Sequence, residues 1–220
     1  MKFHQQRQSG FTLVEIAIVL VIIGLLLGGV LKGQEMIDNS RMKSVAADLR
    51  GVSAAYNSYT DRFRSIPGDE TVAVLTARGW VAPIGGNGNG VLAITPAQTF
   101  GNGGEQRAMW YALRTAGFAG GDPQGPATVA GLSRSGVNTP IGVSVGDYGL
   151  PGPSACVSGL TTKQARGVDT ILDGSEGNSV GEARATTGAA NPLAPTAAVP
   201  AITAYNETTV LTLWSTCRPL

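Results

Sequence analysis

The sequence predicts an α+β chain: one long N-terminal helix, its hydrophobic half protruding, packed on a small antiparallel β-sheet head with a loop-rich C-terminal region. Three observations predict it. Residues 11–31 form an apolar run, residues 42–63 carry an apolar stripe at helical spacing, and the rest offers only short strand candidates between glycine-rich turns. Glycine supplies 31 of 220 residues, about twice the usual ~7% share. The formal charge of +1 gives no global field for a polyanion such as nucleic acid.

The first element is the apolar run. Ile16 to Leu31 are 16 consecutive residues without charge, and extension back to Phe11 gives 21 with Glu15 the only charged side chain. A bilayer core needs ~20 apolar helical residues, so Phe11–Leu31 spans one. Lys2 and Arg7 precede the run, which favours a cytoplasmic N-terminus. A cleavable secretory signal would be shorter and end in a small-residue site, whereas this run continues into "VLKGQEMIDNS". An ordinary single-pass anchor accounts for everything except Glu15. A carboxylate inside the span costs a couple of kcal/mol or more near the centre. It must either reach the interface or meet a partner.

The combined pattern is a polar leader, MKFHQQRQSG, then FTLVE, then the long apolar run. It resembles the type IV pilin family, which includes the pseudopilins of type II secretion. The resemblance is strong over roughly the first 65 residues and loose beyond. It implies cleavage after Gly10 by a membrane-embedded prepilin peptidase, followed by N-methylation of Phe11. It also implies an assembly role for Glu15. Cleavage leaves a positive amine on Phe11, and the glutamate of an adjacent subunit would meet it in a filament. Each charge alone would be unpaired in a low-dielectric core; together they offset one another and fix the axial register. Many family members carry proline at the position of Lys32. This chain has Lys32-Gly33 after Gly24, Gly28 and Gly29, so any softening of the helix would come from glycines, each weaker than alanine by ~1 kcal/mol.

The helix continues. Met42, Val45, Leu49, Val52, Tyr56, Tyr59 and Phe63 alternate spacings of three and four, with Arg41, Lys43, Asp48, Arg50 and Asp61 between them. That is one apolar face, set against a sheet of the same chain or, with more heptads, against another helix. Ile66-Pro67-Gly68 ends it. Four segments result: a leader at 1–10, a transmembrane and filament-core helix at 11–31, an amphipathic continuation at 32–65 and a head at 66–220.

In the head, "IGGNGNGVLAITPAQTFGNGG" predicts turns around a short strand at Val91–Thr95. Its G-N-G repeats lack the strand-to-helix junction and lysine of a phosphate loop. A second helix is predicted from about Glu105 to Ala116, with Ala108, Met109, Ala112 and Leu113 as its apolar face, Trp110 and Tyr111 covering core, and Gly117 as its cap. Strand candidates are Thr128–Leu132, Ile141–Val145 and Thr208–Trp214. A third helix falls within Gly159–Asp173, capped by Thr161 or Thr162. Residues 183–204, rich in alanine, threonine and proline, read as an extended surface loop.

Two cysteines, Cys156 and Cys217, bound the C-terminal region. As a disulfide they would close a loop of about 60 residues, on the oxidising side of the membrane; the alternative is two buried thiols. The resemblance implies a C-terminal disulfide-bounded loop. Within it, Asp169, Asp173 and Glu176 offer hard oxygen ligands for calcium around a glycine turn, although the spacing is not that of an EF-hand. The competing reading is an Asp-Gly turn that ends the third helix. No other cofactor is expected.

The only histidine is His4. If the leader is removed, the remaining chain has none, which excludes Ser-His, Cys-His and imidazole-zinc chemistry. Ser-Lys and paired-carboxylate chemistry stay formally open, but no spacing recommends them. Arg62 and Arg64 around Phe63 are too few for a nucleic-acid patch. The expectation is therefore a structural subunit, a minor pilin or pseudopilin rather than a major pilin. Its partners are other such subunits, prepilin peptidase, the inner membrane and its assembly platform. The head would be periplasmic, and the filament periplasmic or at the cell surface. The alternatives are a membrane-anchored periplasmic binding module that never polymerises, and a major pilin.

Overall fold

The structure is a computed structural model; it describes residues 12–101, 103–126, 131–174, 177–203, 205 and 212–220. The chain divides into two units, 1–40 and 41–220. Its first element, α1, is a 51-residue helix from Leu13 to Phe63. The helix runs unbroken through Gly24, Gly28, Gly29 and Gly33.

In the second unit, α1 buries Met42, Val45, Leu49, Val52 and Tyr59 of the predicted stripe, with Ala46 and Ala55 beside them, while Tyr56 and Phe63 are half-buried. The helix stops where Arg64 turns left-handed (φ 54), just before Pro67. Its end is pinned by a carboxylate. Glu70, buried, accepts from Tyr59 Oη, from Ser65 Oγ at 2.5 Å, and from both terminal nitrogens of Arg78. The Arg78 guanidinium also lies 4.6 Å from the Phe63 ring and 5.7 Å from Trp80. A short helix the sequence did not advertise, α2 (Val72–Ala77), capped by Thr71, brings Arg78 there. Glu70→Ala strips three partners of a buried acceptor. Arg78 is partly exposed and can recover water, so the expected loss is about 2–3 kcal/mol rather than the full cost of an orphaned buried charge. Urea denaturation of the detergent-solubilised chain reads this out, and an unchanged midpoint would mean the network is ornamental.

The glycine-asparagine loop has a packing role. Asn89 and Gly90 N–H groups donate to Asp69 at 3.0 and 2.8 Å, and Gly86 and Gly88 N–H groups donate to the carbonyls of Glu70 and Asp69 at 2.7 Å each. Backbone packs on backbone here: a Cβ on Gly86 would collide with Gly68 and Asp69. The strand expected at Val91–Thr95 is not formed. The segment makes a single backbone bond to the sheet, Val145 N–H to Ile94 carbonyl (2.8 Å).

The second predicted helix is α3 (Gly104–Thr115), with Ala108, Met109, Trp110, Tyr111, Ala112 and Leu113 all buried. Gly117 takes φ 80, and Phe118 N–H returns to the Leu113 carbonyl at 2.9 Å, a Schellman closure.

Five antiparallel strands follow: β1 (Ser133–Arg134), β2 (Pro140–Val145), β3 (Pro153–Leu160), β4 (Arg184–Gly188) and β5 (Leu213–Pro219), in the order β1-β2-β3-β5-β4. Several strand expectations need correction. Residues 131–132 are not strand, and 128–130 lie outside the described residues. The last strand begins at Leu213, with 208–211 likewise outside. The central strand β3 was not foreseen, and β4 lies inside the stretch expected to be loop. β4 forms because β5 offers it a full ladder from Cys217 to Leu213.

The third predicted helix, α4 (Thr162–Asp173), starts on a capping box between Thr161 and Gln164 and ends at left-handed Gly174 (φ 76). Trp214 on β5 donates its indole N–H to Thr162 Oγ1 at 3.0 Å. Arg50 of α1 donates to the Ile171 carbonyl at 2.8 Å. Gly167 has no side chain because Met42 occupies the space.

Candidate functional site

The candidate site begins with four residues, Thr12-Leu13-Val14-Glu15. Thr12 precedes the first helical residue, so Glu15 is the third. The first turn of any helix leaves backbone N–H groups without intrahelical acceptors. The Thr12 N–H and hydroxyl both donate to Glu15 Oε2 at 2.8 Å, and the Glu15 N–H donates to Thr12 Oγ1 at 3.3 Å. This is a reciprocal capping box. The T-x-x-E spacing is itself the sequence signature of that box, a role for Glu15 that the membrane argument alone does not supply.

Capping does not account for the charge. The chain builds the same arrangement elsewhere with glutamine: Gln98 Oε1 accepts from the Thr95 N–H and hydroxyl at 3.0 Å, and Gln164 Oε1 accepts from the Thr161 N–H at 3.0 Å. A neutral amide serves there. At residue 15, beside a run of 16 uncharged residues, the chain uses the ionisable homologue, inside a span where a charge is costly.

The run after Glu15 presents its side chains outward. Leu25 is 74% and Leu31 66% exposed, and no residue of the most apolar window is buried. By length and composition this helix is able to cross a membrane. The core helix of a soluble domain would instead be covered by its own chain. The run ends at Lys32, whose Nζ meets Glu35 Oε2 at 2.8 Å one turn on. Such an apolar N-terminal helix fits membrane anchoring.

The other candidate residues lie elsewhere. Gly10 and Phe11 fall outside the described residues. Cys156 on β3 and Cys217 on β5 are direct cross-strand neighbours, Cα atoms 4.0 Å apart, joined as a disulfide. Asp169 and Asp173 sit one turn apart on α4, and Glu176 is outside the described residues. Asp169 Oδ2 accepts from the Gly177 N–H (3.2 Å) and Tyr205 Oη (3.1 Å), and Asp173 Oδ2 accepts from the Ala183 N–H (3.0 Å). The two carboxylates thus fasten the chain that returns from α4 to β4. Asn178, also buried, donates to the Ala185 and Ala201 carbonyls and accepts from the Thr203 N–H.

No curated protein and no solved structure is matched by the chain. One family model matches, the prokaryotic N-terminal methylation motif, over residues 5–31. That range contains Gly10, Phe11, the Thr12–Glu15 cap and the exposed apolar run to Leu31. The chain therefore carries, at its N-terminus, the signature of the type IV pilins and pseudopilins.

Proposed function

We propose that this chain is a structural subunit of a type IV pilus-like filament, a minor pilin or a pseudopilin. Prepilin peptidase cuts after Gly10 and Phe11 is methylated. The apolar helix holds the subunit in the inner membrane with the N-terminus cytoplasmic and the head periplasmic. An assembly platform then extracts it, and helix packing builds the filament core. Glu15 meets the Phe11 amine of a neighbouring subunit. The observation that carries this reading is the methylation motif placed on an unburied apolar helix whose one embedded charge is Glu15. A neutral residue would cap that helix equally well, so the charge calls for a partner outside the chain.

Co-expression with a prepilin peptidase tests the first step. Mass spectrometry of the product is expected to find residues 1–10 removed and a methyl group on the Phe11 amine. A chain that keeps its leader in the presence of an active peptidase would instead be a membrane-anchored module that does not polymerise.

A further inference from the structure

The sheet holds an aspartate that the assembly reading does not use. Asp147 follows β2 in a one-turn 3-10 segment, Asp147–Gly149, entered through left-handed Gly146 (φ 80). Its side chain is fully buried. Ser144 and Ser154, cross-strand partners on β2 and β3, both bring a hydroxyl to it. Ser154 Oγ donates to Oδ2. Ser144 Oγ lies 2.8 Å from Oδ1 and 2.7 Å from Oδ2. Behind Ser144 stands Thr99, its Oγ1 2.5 Å from Ser144 Oγ and 2.6 Å from the Pro96 carbonyl oxygen. Four groups thus stand in file: the Pro96 carbonyl, the Thr99 and Ser144 hydroxyls, and the Asp147 carboxyl.

The three contacts along the file are all at hydrogen-bond distance, so each needs a hydrogen. A hydroxyl carries one and a carbonyl none. The Pro96 carbonyl only accepts, so it takes the Thr99 hydrogen. The contact between Thr99 and Ser144 then takes the Ser144 hydrogen. Nothing is left for the contact between Ser144 and Asp147 unless the carboxyl brings its own. With an ionised Asp147, one pair of buried oxygens meets lone pair to lone pair. With a protonated Asp147, every contact is filled. The surroundings agree. Burial pushes the Asp147 carboxyl above the usual carboxylate range, against the opposing pull of Ser154 and Ser144. Charged and titratable groups on the neighbouring elements are engaged elsewhere. Tyr148 sends its hydroxyl to the Ser215 carbonyl (3.3 Å), and Arg184 of β4 donates to the Tyr148 carbonyl (2.7 Å). Arg218 of β5 lies 4.0 Å from Glu182. On α3, Glu105 accepts from the Ala93 N–H and Arg107 donates to the Gly125 carbonyl. Cys156, 3.5 Å from Oδ2, is in the disulfide and has no proton to give.

We propose that Asp147 folds as the neutral carboxylic acid, a buried proton-binding site that fastens the 96–99 turn to the sheet while the proton is held. The carboxyl donates to Ser144, Ser144 to Thr99, and Thr99 to the Pro96 carbonyl, while Ser154 donates to the carboxyl. An asparagine would fill the same contacts at every pH; the aspartate makes the joint conditional on acidity. The folded head then holds this proton more tightly than the unfolded chain, whose aspartate titrates at about 3.9. Its contribution to stability is full in acid and is lost as pH rises through the folded value. Over that interval the folding equilibrium constant falls by up to about tenfold per pH unit. The inference concerns the head alone and does not rest on the filament reading.

The test is urea denaturation of the oxidised, detergent-solubilised full chain, from about pH 4 to 8. Asp147→Asn is compared with the wild-type chain at each pH, so that titrations common to both cancel. The variant's folding equilibrium constant is expected to gain at least about tenfold on the wild type across that range, and to exceed it at the alkaline end. A structural carboxylate, ionised and held by its hydroxyls, would give the opposite trend. A gap that stays constant with pH, a gap that moves in the wild type's favour, or a variant that fails to fold at the alkaline end overturns the proposal. Thr99→Val tests the hydrogen count itself. It removes one hydroxyl and two contacts, so the Ser144 hydrogen is free for Asp147 and the carboxyl need not bring its own. In that background the same aspartate-to-asparagine comparison is expected to show a smaller gain; an undiminished gain overturns the proton file.

Discussion

Glu15→Gln is expected to insert and fold like the wild-type chain and yet fail to enter filaments. Glutamine keeps the oxygen that accepts from Thr12, so the first turn of α1 stays capped. What disappears is the charge. In an assembled core the Phe11 amine of a neighbour would then be buried alone, at about 3–5 kcal/mol per subunit. Through the equilibrium constant that is at least a ~100-fold loss of incorporation. Glu15→Ala removes the cap as well, at about a further 1 kcal/mol, and should also be excluded. Shearing filaments from cells and comparing subunit content with the membrane fraction measures both variants side by side. Should the glutamine variant assemble normally while the alanine variant does not, Glu15 is a cap and the charge-pair argument is wrong.

The pair of variants is needed because the sequence presents two roles for one residue. The membrane argument sees a carboxylate in an apolar run; the helix argument sees T-x-x-E ahead of an apolar run. Both are legible in residues 12–31, because both depend on neighbours in sequence. The surroundings of Asp147, a fully buried carboxyl group just after β2, were not legible. Nothing local distinguishes it from any other acid in a turn. Ser154 and the Cys156–Cys217 disulfide are brought to it only by the sheet.

The same division runs through the fold. The stripe on α1, the face of α3 and the Thr161 cap of α4 were readable because helical period and capping are local. The central strand escaped. Its sequence, "PSACVSGL", has one β-branched residue and no alternation, because most of its positions are buried and small side chains suit a strand crowded by neighbours. Its identity is set by β2 and β5 on either side, not by propensity. Likewise "RATTG" in β4 is strand because Asn178 and β5 satisfy its backbone from opposite edges. The alanine- and proline-rich surroundings conceal that. Gly142 belongs to the same category: it is glycine because the carbonyl of Thr99 occupies the place of a Cβ.

The disulfide is where local and long-range order meet, and its removal should be the largest single loss of stability in the head. Cys156 and Cys217 are 61 residues apart in sequence, and loop-closure bookkeeping values the cross-link at about 4 kcal/mol. Against a total of about 5–15 kcal/mol for an ordinary domain, that leaves a marginal fold. The native strand need not undock. β5 is paired along both edges, to β3 and β4, and Trp214 is buried with its indole N–H on Thr162. The loss should therefore appear in the unfolded state, which gains freedom once the loop is open. The double variant Cys156→Ala, Cys217→Ala is expected to keep a native circular dichroism spectrum while its urea midpoint falls sharply. Its unfolding slope should rise as the denatured chain expands. Tryptophan fluorescence reports the transition, since Trp110 and Trp214 are both buried. A midpoint within error of the oxidised wild-type chain would show that the two ladders flanking β5 suffice to hold it, and that the cross-link is dispensable to the fold.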